Sequence, residues 1–163
     1  MKERPIMFKD EMVRAILAGT KTQTRRIAFN ADPGDHLWVR ETFCNAHIGG
    51  YDAREDGVEF LYRATEAGEC EGPWKPSIFM PRVACRILLE VTDVRKQRLQ
   101  EISDEDARDE GVTLRGDPQW MTMYDGIYRD AFNVLWDSIN AKRGFGWDVN
   151  PWVLAISFRR IKP

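Results

Sequence analysis

Apolar residues in the first forty positions follow two periods. Ile6, flanked by Pro5, Met7 and Phe8, marks a short strand over residues 4–8, and a helix begins near Asp10, a residue type suited to the N-cap. Met12, Ala15 and Ile16, thickened by Val13 and Leu17, form the buried stripe of that helix. Gly19 is placed to end it in the left-handed conformation. Residues 20–27 are polar and basic and read as a connection. Pro33-Gly34-Asp35 is a turn, after which Leu37, Val39 and Phe43 suggest one face of a strand with Trp38 on the other.

Further along, residues 44–77 are rich in Gly, Glu and Ala and hold one short strand, Val58 to Tyr62. Pro76 and Pro81 bracket Ser77-Ile78-Phe79-Met80, which predicts a short edge-like segment. Val83 to Val94 is the strongest strand signal in the chain. A short helix follows, with Ser103 as N-cap, three acids in its first turn and Gly111 as its stop. Residues 113–124 read as loop. The longest helix starts at or just after Asp125, because Tyr128, Phe132, Leu135, Trp136 and Ile139 fall at spacings of 4, 3, 1 and 3. That stripe reads as core. Trp152 to Phe158 is a last strand, ending in Arg159-Arg160. Strands outnumber helices without regular alternation, which predicts an α+β, mainly β, or barrel-like domain over a doubly wound sheet.

Composition narrows the class. The 163 residues are the length of one domain, with 43% apolar and 31% charged positions. No apolar run approaches the ~20 residues of a membrane-spanning helix, and Met1-Lys2-Glu3-Arg4-Pro5 lacks a signal peptide's apolar stretch, so the expected location is cytoplasmic. Cys44, Cys70 and Cys85 are odd in number and widely spaced, which predicts neither a disulfide framework nor a zinc finger. His36 and His47 are the only histidines, too few for a site built on a His triad or on three His ligands. No metal and no cofactor is expected.

The net charge of −2 conceals two opposed segments. Residues 1–26 hold seven basic side chains against three acidic ones, whereas residues 101–110 hold six acids against Arg108 alone. Taken singly, each run also fits an ordinary solvated face.

The densest reactive chemistry lies in Gly19-Thr20-Lys21-Thr22-Gln23-Thr24-Arg25-Arg26. An extended backbone places Lys21 and Thr24 on opposite faces, and a turn at 20–23 brings them to one side. Arg25 and Arg26 supply forks suited to phosphate or carboxylate. The competing reading is a basic loop whose hydroxyls bond their own backbone.

Ala18-Gly19-x-Lys21-Thr22-x-Thr24-x-Arg26 resembles the signature of the ASCH domain, which is built on a PUA-like pseudo-β-barrel with flanking helices. Pro33-Gly34-Asp35-x-Leu37-x-Val39 resembles that family's approach to its next strand, Ser103 to Val112 its short helix ending in Glu, and Val153 to Arg159 its closing strand. The resemblance implies one ASCH domain over 1–163, with insertions at about 44–82 and 113–150. Trp74-Lys75-Pro76-Ser77-Ile78 resembles longer phage and prophage members, so a bacterial host or phage origin is implied.

What the family implies is binding of RNA or a modified cytidine nucleoside in a basic cleft, with no membrane and no obligate protein partner. One branch removes the acetyl group of N4-acetylcytidine with a Lys, a Thr and a Glu. By motif these fall on Lys21, Thr24 and Glu110. The alternatives are a non-catalytic RNA-binding module of the same fold, and a ribonuclease for which no motif argues.

Elementary electrostatics bears on that site. The negative end of the helix and Asp106 four residues back both favour a protonated Glu110, able to deliver a proton to a leaving amine. Lys21 acts as a base only if its pKa falls from ~10.4 towards ~7–8. Contact between the two favours both charged forms, and burial favours the neutral pair, a coupled titration. For stacking a base, Trp38, Phe43, Trp74, Phe79 and Trp120 are candidates. Arg25, Arg26, Arg40, Arg82 and Lys75 are candidates for contacting the ligand's backbone, with Arg86 beside them.

Overall fold

The computed structural model describes residues 1–48, 57–66, 70, 72–114 and 125–161. Its elements are β1 (Glu3–Met7), α1 (Asp10–Leu17), β2 (Gln23–Arg26), β3 (His36–Arg40), β4 (Phe43–Ile48), β5 (Gly57–Tyr62), β6 (Leu88–Arg98), α2 (Asp104–Asp109), α3 (Ile127–Asn140) and β7 (Trp152–Ile161). Five strands form one mixed sheet in the order β1-β3-β6-β7-β2, and β4 pairs with β5 as a separate hairpin. The chain is thus α+β and mainly β, as its sequence pattern indicates.

The sheet is held by one long ladder. β6 and β7 pair antiparallel from Leu88 opposite Ile161 to Arg98 opposite Trp152, with a register shift between Val91 and Asp93. β1 joins β3 in parallel, which requires the α1 crossover that the sequence places between them. Alternation along β3 turns Leu37 and Val39 inward, where they meet Ile6, Val13, Ile16 and Leu89 in the main core. A second cluster gathers Leu99, Ile102, Phe132, Trp136, Trp147 and Val153 between the end of the long ladder and α3.

The sheet's two edges, β1 and β2, are joined by a side chain. Arg26 Nη2 donates to the Met7 carbonyl at 3.0 Å, and its guanidinium lies 5.1 Å from the Phe8 ring centroid. No backbone ladder closes β1 onto β2 among the described residues, so the sheet is open and no closed barrel forms from it.

Several local expectations are corrected. The N-cap of α1 is Lys9, with Asp10 in the first turn binding Arg63. Residues 23–26 are a strand, because β7 offers a backbone partner that a polar sequence does not advertise. Ser77–Phe79 is a 3₁₀ turn and not an edge strand, and the long strand starts at Leu88 after a second 3₁₀ turn at Arg82–Ala84. Phe43 opens β4 and does not extend β3. Cys44 and Cys70 form a disulfide with Cα atoms 6.5 Å apart, while Cys85 is free. Spacing alone could not reveal that pairing, since it depends on the chain returning to Cys44 after the β4–β5 hairpin. No helix among the described residues is long and apolar enough to cross a membrane.

Candidate functional site

The site forms where β2 meets α2. Ser103 caps α2, its Oγ accepting from the Asp106 N–H at 3.0 Å, and the helix ends as Glu110 is followed by Gly111 at φ 75°. Asp106 and Glu110, four residues apart, share one face of this segment. Opposite them, Thr22 N–H donates to Asp109 O at 2.8 Å, and Lys21 and Glu110 pair as an isolated antiparallel bridge. The acidic helix end and the basic loop are thereby in contact.

Their side chains form a largely buried ionic cluster. Lys21 Nζ donates to Glu110 Oε2, to the Glu110 carbonyl and to the Gln23 carbonyl, each at 2.8 Å. Those three acceptors take all three ammonium hydrogens. Arg25 bridges the two acids, with Nη1 3.1 Å from Glu110 Oε1 and Nη2 2.9 Å from Asp106 Oδ2. Gln23 Nε2 donates to Asp106 Oδ1 at 2.9 Å. Lys21, Arg25 and Glu110 are 2%, 2% and 5% exposed.

Burial pushes the Lys21 ammonium below its ordinary range; Glu110 opposes this without cancelling it, and Arg26 and Arg25 add to the fall. For Asp106, burial acts to raise the carboxyl, but the Gln23 amide and the Arg25 and Arg95 guanidiniums outweigh it and hold it below the usual carboxylate range. The repulsion expected between Asp106 and Glu110 is absorbed by Arg25. Both Glu110 oxygens accept from cations, Oε2 from Lys21 and Oε1 from Arg25.

Thr24 lies on the other face of β2. Its Oγ accepts from Arg26 Nη1 at 2.9 Å, and no hydrogen bond joins it to Lys21 among the described residues. Thr24, Arg25 and Glu110 line the floor of a cavity of about 390 Å³. This is the size of a small-molecule site. Its walls include Met12, Phe29, Phe132, Leu135, Trp136 and Ile139. The helical stripe read as core is therefore core on one side and cavity wall on the other. Arg25 sits with its guanidinium 5.9 Å from the Phe132 ring, and its Nε is buried without an acceptor among the described residues.

Of the other expected contact residues, Arg26 and Arg40 line this cavity. Trp38, Trp74, Lys75 and Arg82 do not. Arg40 and Arg82 lie 5.4 and 5.9 Å from the Trp38 ring, and Arg82 is engaged by Glu3 through Nε and Nη2. Lys75 exchanges backbone bonds with Phe43 and lies over its ring at 5.8 Å. Arg86 is held by the buried Glu41. Trp120 lies outside the described residues.

Sequence reasoning missed Phe132 and Trp136 as walls, because a stripe at helical spacing looks the same whether it faces a core or a cavity. It also missed Gln23 as the residue that joins Lys21 to Asp106. No group of three or more potential metal-binding side chains is found among the described residues.

Comparison with known proteins yields fold likeness only. No family model matches the chain, and no curated protein matches it either. Protein EF3133 of Enterococcus faecalis V583, from family DUF984, aligns over 99% of this chain and 81% of its own, at 10% identity and a TM-score of 0.51. The two share a fold. An ASCH domain from Lactobacillus crispatus JV V101 aligns over the same shares at 13% identity and a TM-score of 0.48, and the hypothetical protein PH0355 over 99% and 100% at 14% and 0.47.

Proposed function

We propose that the cavity binds a modified cytidine, free or within RNA, and that its floor hydrolyses the N4-acyl amide to cytidine and a carboxylic acid. The observation that carries this reading is the buried Lys21–Glu110 pair abutting the floor of an aromatic-walled cavity that Thr24 also lines. The roles are taken from the resemblance to the N4-acetylcytidine branch of the ASCH proteins, which carries over onto Lys21, Thr24 and Glu110.

The chemistry requires one internal proton shift. Along the 2.8 Å contact a proton passes from Lys21 Nζ to Glu110 Oε2, leaving a neutral amine and a neutral acid. Burial favours that shift and the Arg25 contact resists it. Thr24 Oγ then bonds to the acyl carbon while its proton goes to Lys21, and the C–N bond breaks as Glu110 protonates N4. Water hydrolyses the acyl-threonine, restoring the hydroxyl and releasing the acid. Before this, a ligand must draw Thr24 away from Arg26 and towards Lys21.

A second reading is favoured by a different observation. With every Lys21 hydrogen and both Glu110 oxygens engaged, the cluster also serves as a rigid floor for a binding module without turnover. Incubation with N4-acetylcytidine, followed by mass spectrometry for cytidine and acetate, separates the two. The hydrolase reading expects turnover that Thr24→Val and Lys21→Met abolish. Binding without product leaves the module; turnover that survives both substitutions removes these residues from the reaction.

A further inference from the structure

The cavity mouth carries more positive charge than the reaction proposed at its floor uses. Lys9, Arg26, Arg40 and Arg143 line it from four parts of the chain: the approach to α1, β2, the end of β3 and the 3₁₀ turn after α3. None of the four pairs with a carboxylate among the described residues. The buried Arg25 and the half-buried Arg86 behave otherwise, each being matched to acids. Among the described residues Glu110 is the one acidic side chain lining the cavity, and its oxygens are already taken by Lys21 and Arg25.

Exposure orders these groups by depth. Thr24, Arg25 and Glu110 are buried, Arg26 and Arg40 are half-buried, and Lys9 and Arg143 are exposed. Exposure thus rises from the polar floor and the equally buried Phe132 and Trp136 walls to a cationic rim. Cations converging on an apolar-walled opening repel one another and focus a positive potential there, which an anion relieves.

Donors remain available at that rim. Among the described residues Arg143 is engaged only through Nη1, on Asn140 Oδ1 at 3.4 Å, and Arg40 gives Nη2 to the Ile78 carbonyl while its Nη1 has no acceptor. Arg26 spends its donors on neutral oxygens of Thr24, Arg25 and Met7, and so contributes charge more than new bonds.

We propose that Lys9, Arg40 and Arg143 bind a phosphate, so that the ligand is a nucleotide, as a monophosphate or one residue of an RNA strand, in preference to the uncharged nucleoside. The inference rests on the reading above that a base occupies the cavity. The base sits between the aromatic walls and the polar floor, and the phosphate stays at the mouth, where a fork-shaped guanidinium and an ammonium meet its oxygens.

Isothermal titration of the full chain at low ionic strength with cytidine 5′-monophosphate, cytidine and inorganic phosphate tests it. The monophosphate is expected to bind about tenfold or more tighter than cytidine, as charge-assisted bonds to phosphate imply. In Arg143→Ala and Lys9→Ala that ratio falls by about three- to tenfold each, and added salt lowers it in the wild type. Cytidine that binds as tightly as its monophosphate, or a preference that survives both substitutions, overturns the phosphate site and leaves the base reading intact. If neither cytidine nor its monophosphate binds, or if inorganic phosphate alone binds as tightly as the nucleotide, the base reading falls together with the inference.

Discussion

At position 111 a side chain has no room. A Cβ there would sit 2.7 Å from Lys21 Cβ and 2.9 Å from Ala15 Cβ, on a backbone already at φ 75°. The glycine is thus what lets the end of α2 approach Lys21 closely enough for a 2.8 Å ion pair. Gly111→Ala should cost about 2–4 kcal/mol, from the left-handed backbone together with the overpacking. Its thermal midpoint should then fall by about 5–15 °C. Gly34→Ala is the control, since φ is 87° there but nothing lies within 4 Å, so only the backbone part is lost. Equal midpoints for the two variants would show that the Lys21 approach is not tight. Residue identities at this scale were legible: Lys21, Thr24, Arg25, Arg26 and Glu110 stand out in the sequence. Their partners were not, because a lysine can meet a glutamate 89 positions away only if the fold brings them together.

The elements divide by how much of their burial is apolar. α1, β3 and α3 bury aliphatic and aromatic side chains at regular spacing, and their existence follows from the pattern of residues. β2 buries Gln23, Thr24 and Arg25, none of which carries an apolar signature, so its strand is visible only once β7 and α2 supply hydrogen bonds and counter-charges. The short α2 is the opposite case: six residues long, it depends on its cap and on the contacts of its acids. Ser103→Ala removes the acceptor for Asp106 N–H and should cost about 1 kcal/mol. Because α2 carries Asp106 and ends on Glu110 as its C-cap, the same substitution should weaken ligand binding at the cavity beyond what its distance from the floor suggests. Denaturant titration and calorimetry read the two effects, and ligand affinity unchanged against a lowered stability would show that α2 does not position the floor.

For the whole molecule, the two opposed charge runs nearly cancel in the net charge of −2 and also meet in space, which makes stability depend on acid pH. Asp35 is held below its ordinary 3.8 by backbone donors from Lys2 and Asp32, though burial works against them. Asp106 is also held below 3.8, by the contacts with Gln23, Arg25 and Arg95 that outweigh burial. A carboxylate whose folded value is depressed contributes stability that is present above its ordinary value and lost as pH falls through the lower folded one. Unfolding free energy should therefore drop as pH falls below about 4. Asp106→Asn should flatten that drop while lowering stability at neutral pH, measured by urea titration across the acid range. A pH dependence identical to that of the wild type would remove Asp106 from the linkage.

By itself the sequence determined the α+β class, the places of α1, α2, α3, β3 and β7, and the identities of the reactive side chains near Lys21 and Glu110, because local periodicity and capping chemistry are properties of neighbouring residues. It did not determine the cavity, the Cys44–Cys70 bond, the Arg26 link between the sheet edges or the side of α3 that faces open space. Each of those is a contact between segments far apart in the chain. Such contacts depend on which faces the packed elements turn towards one another, and that was decided only by the tertiary structure.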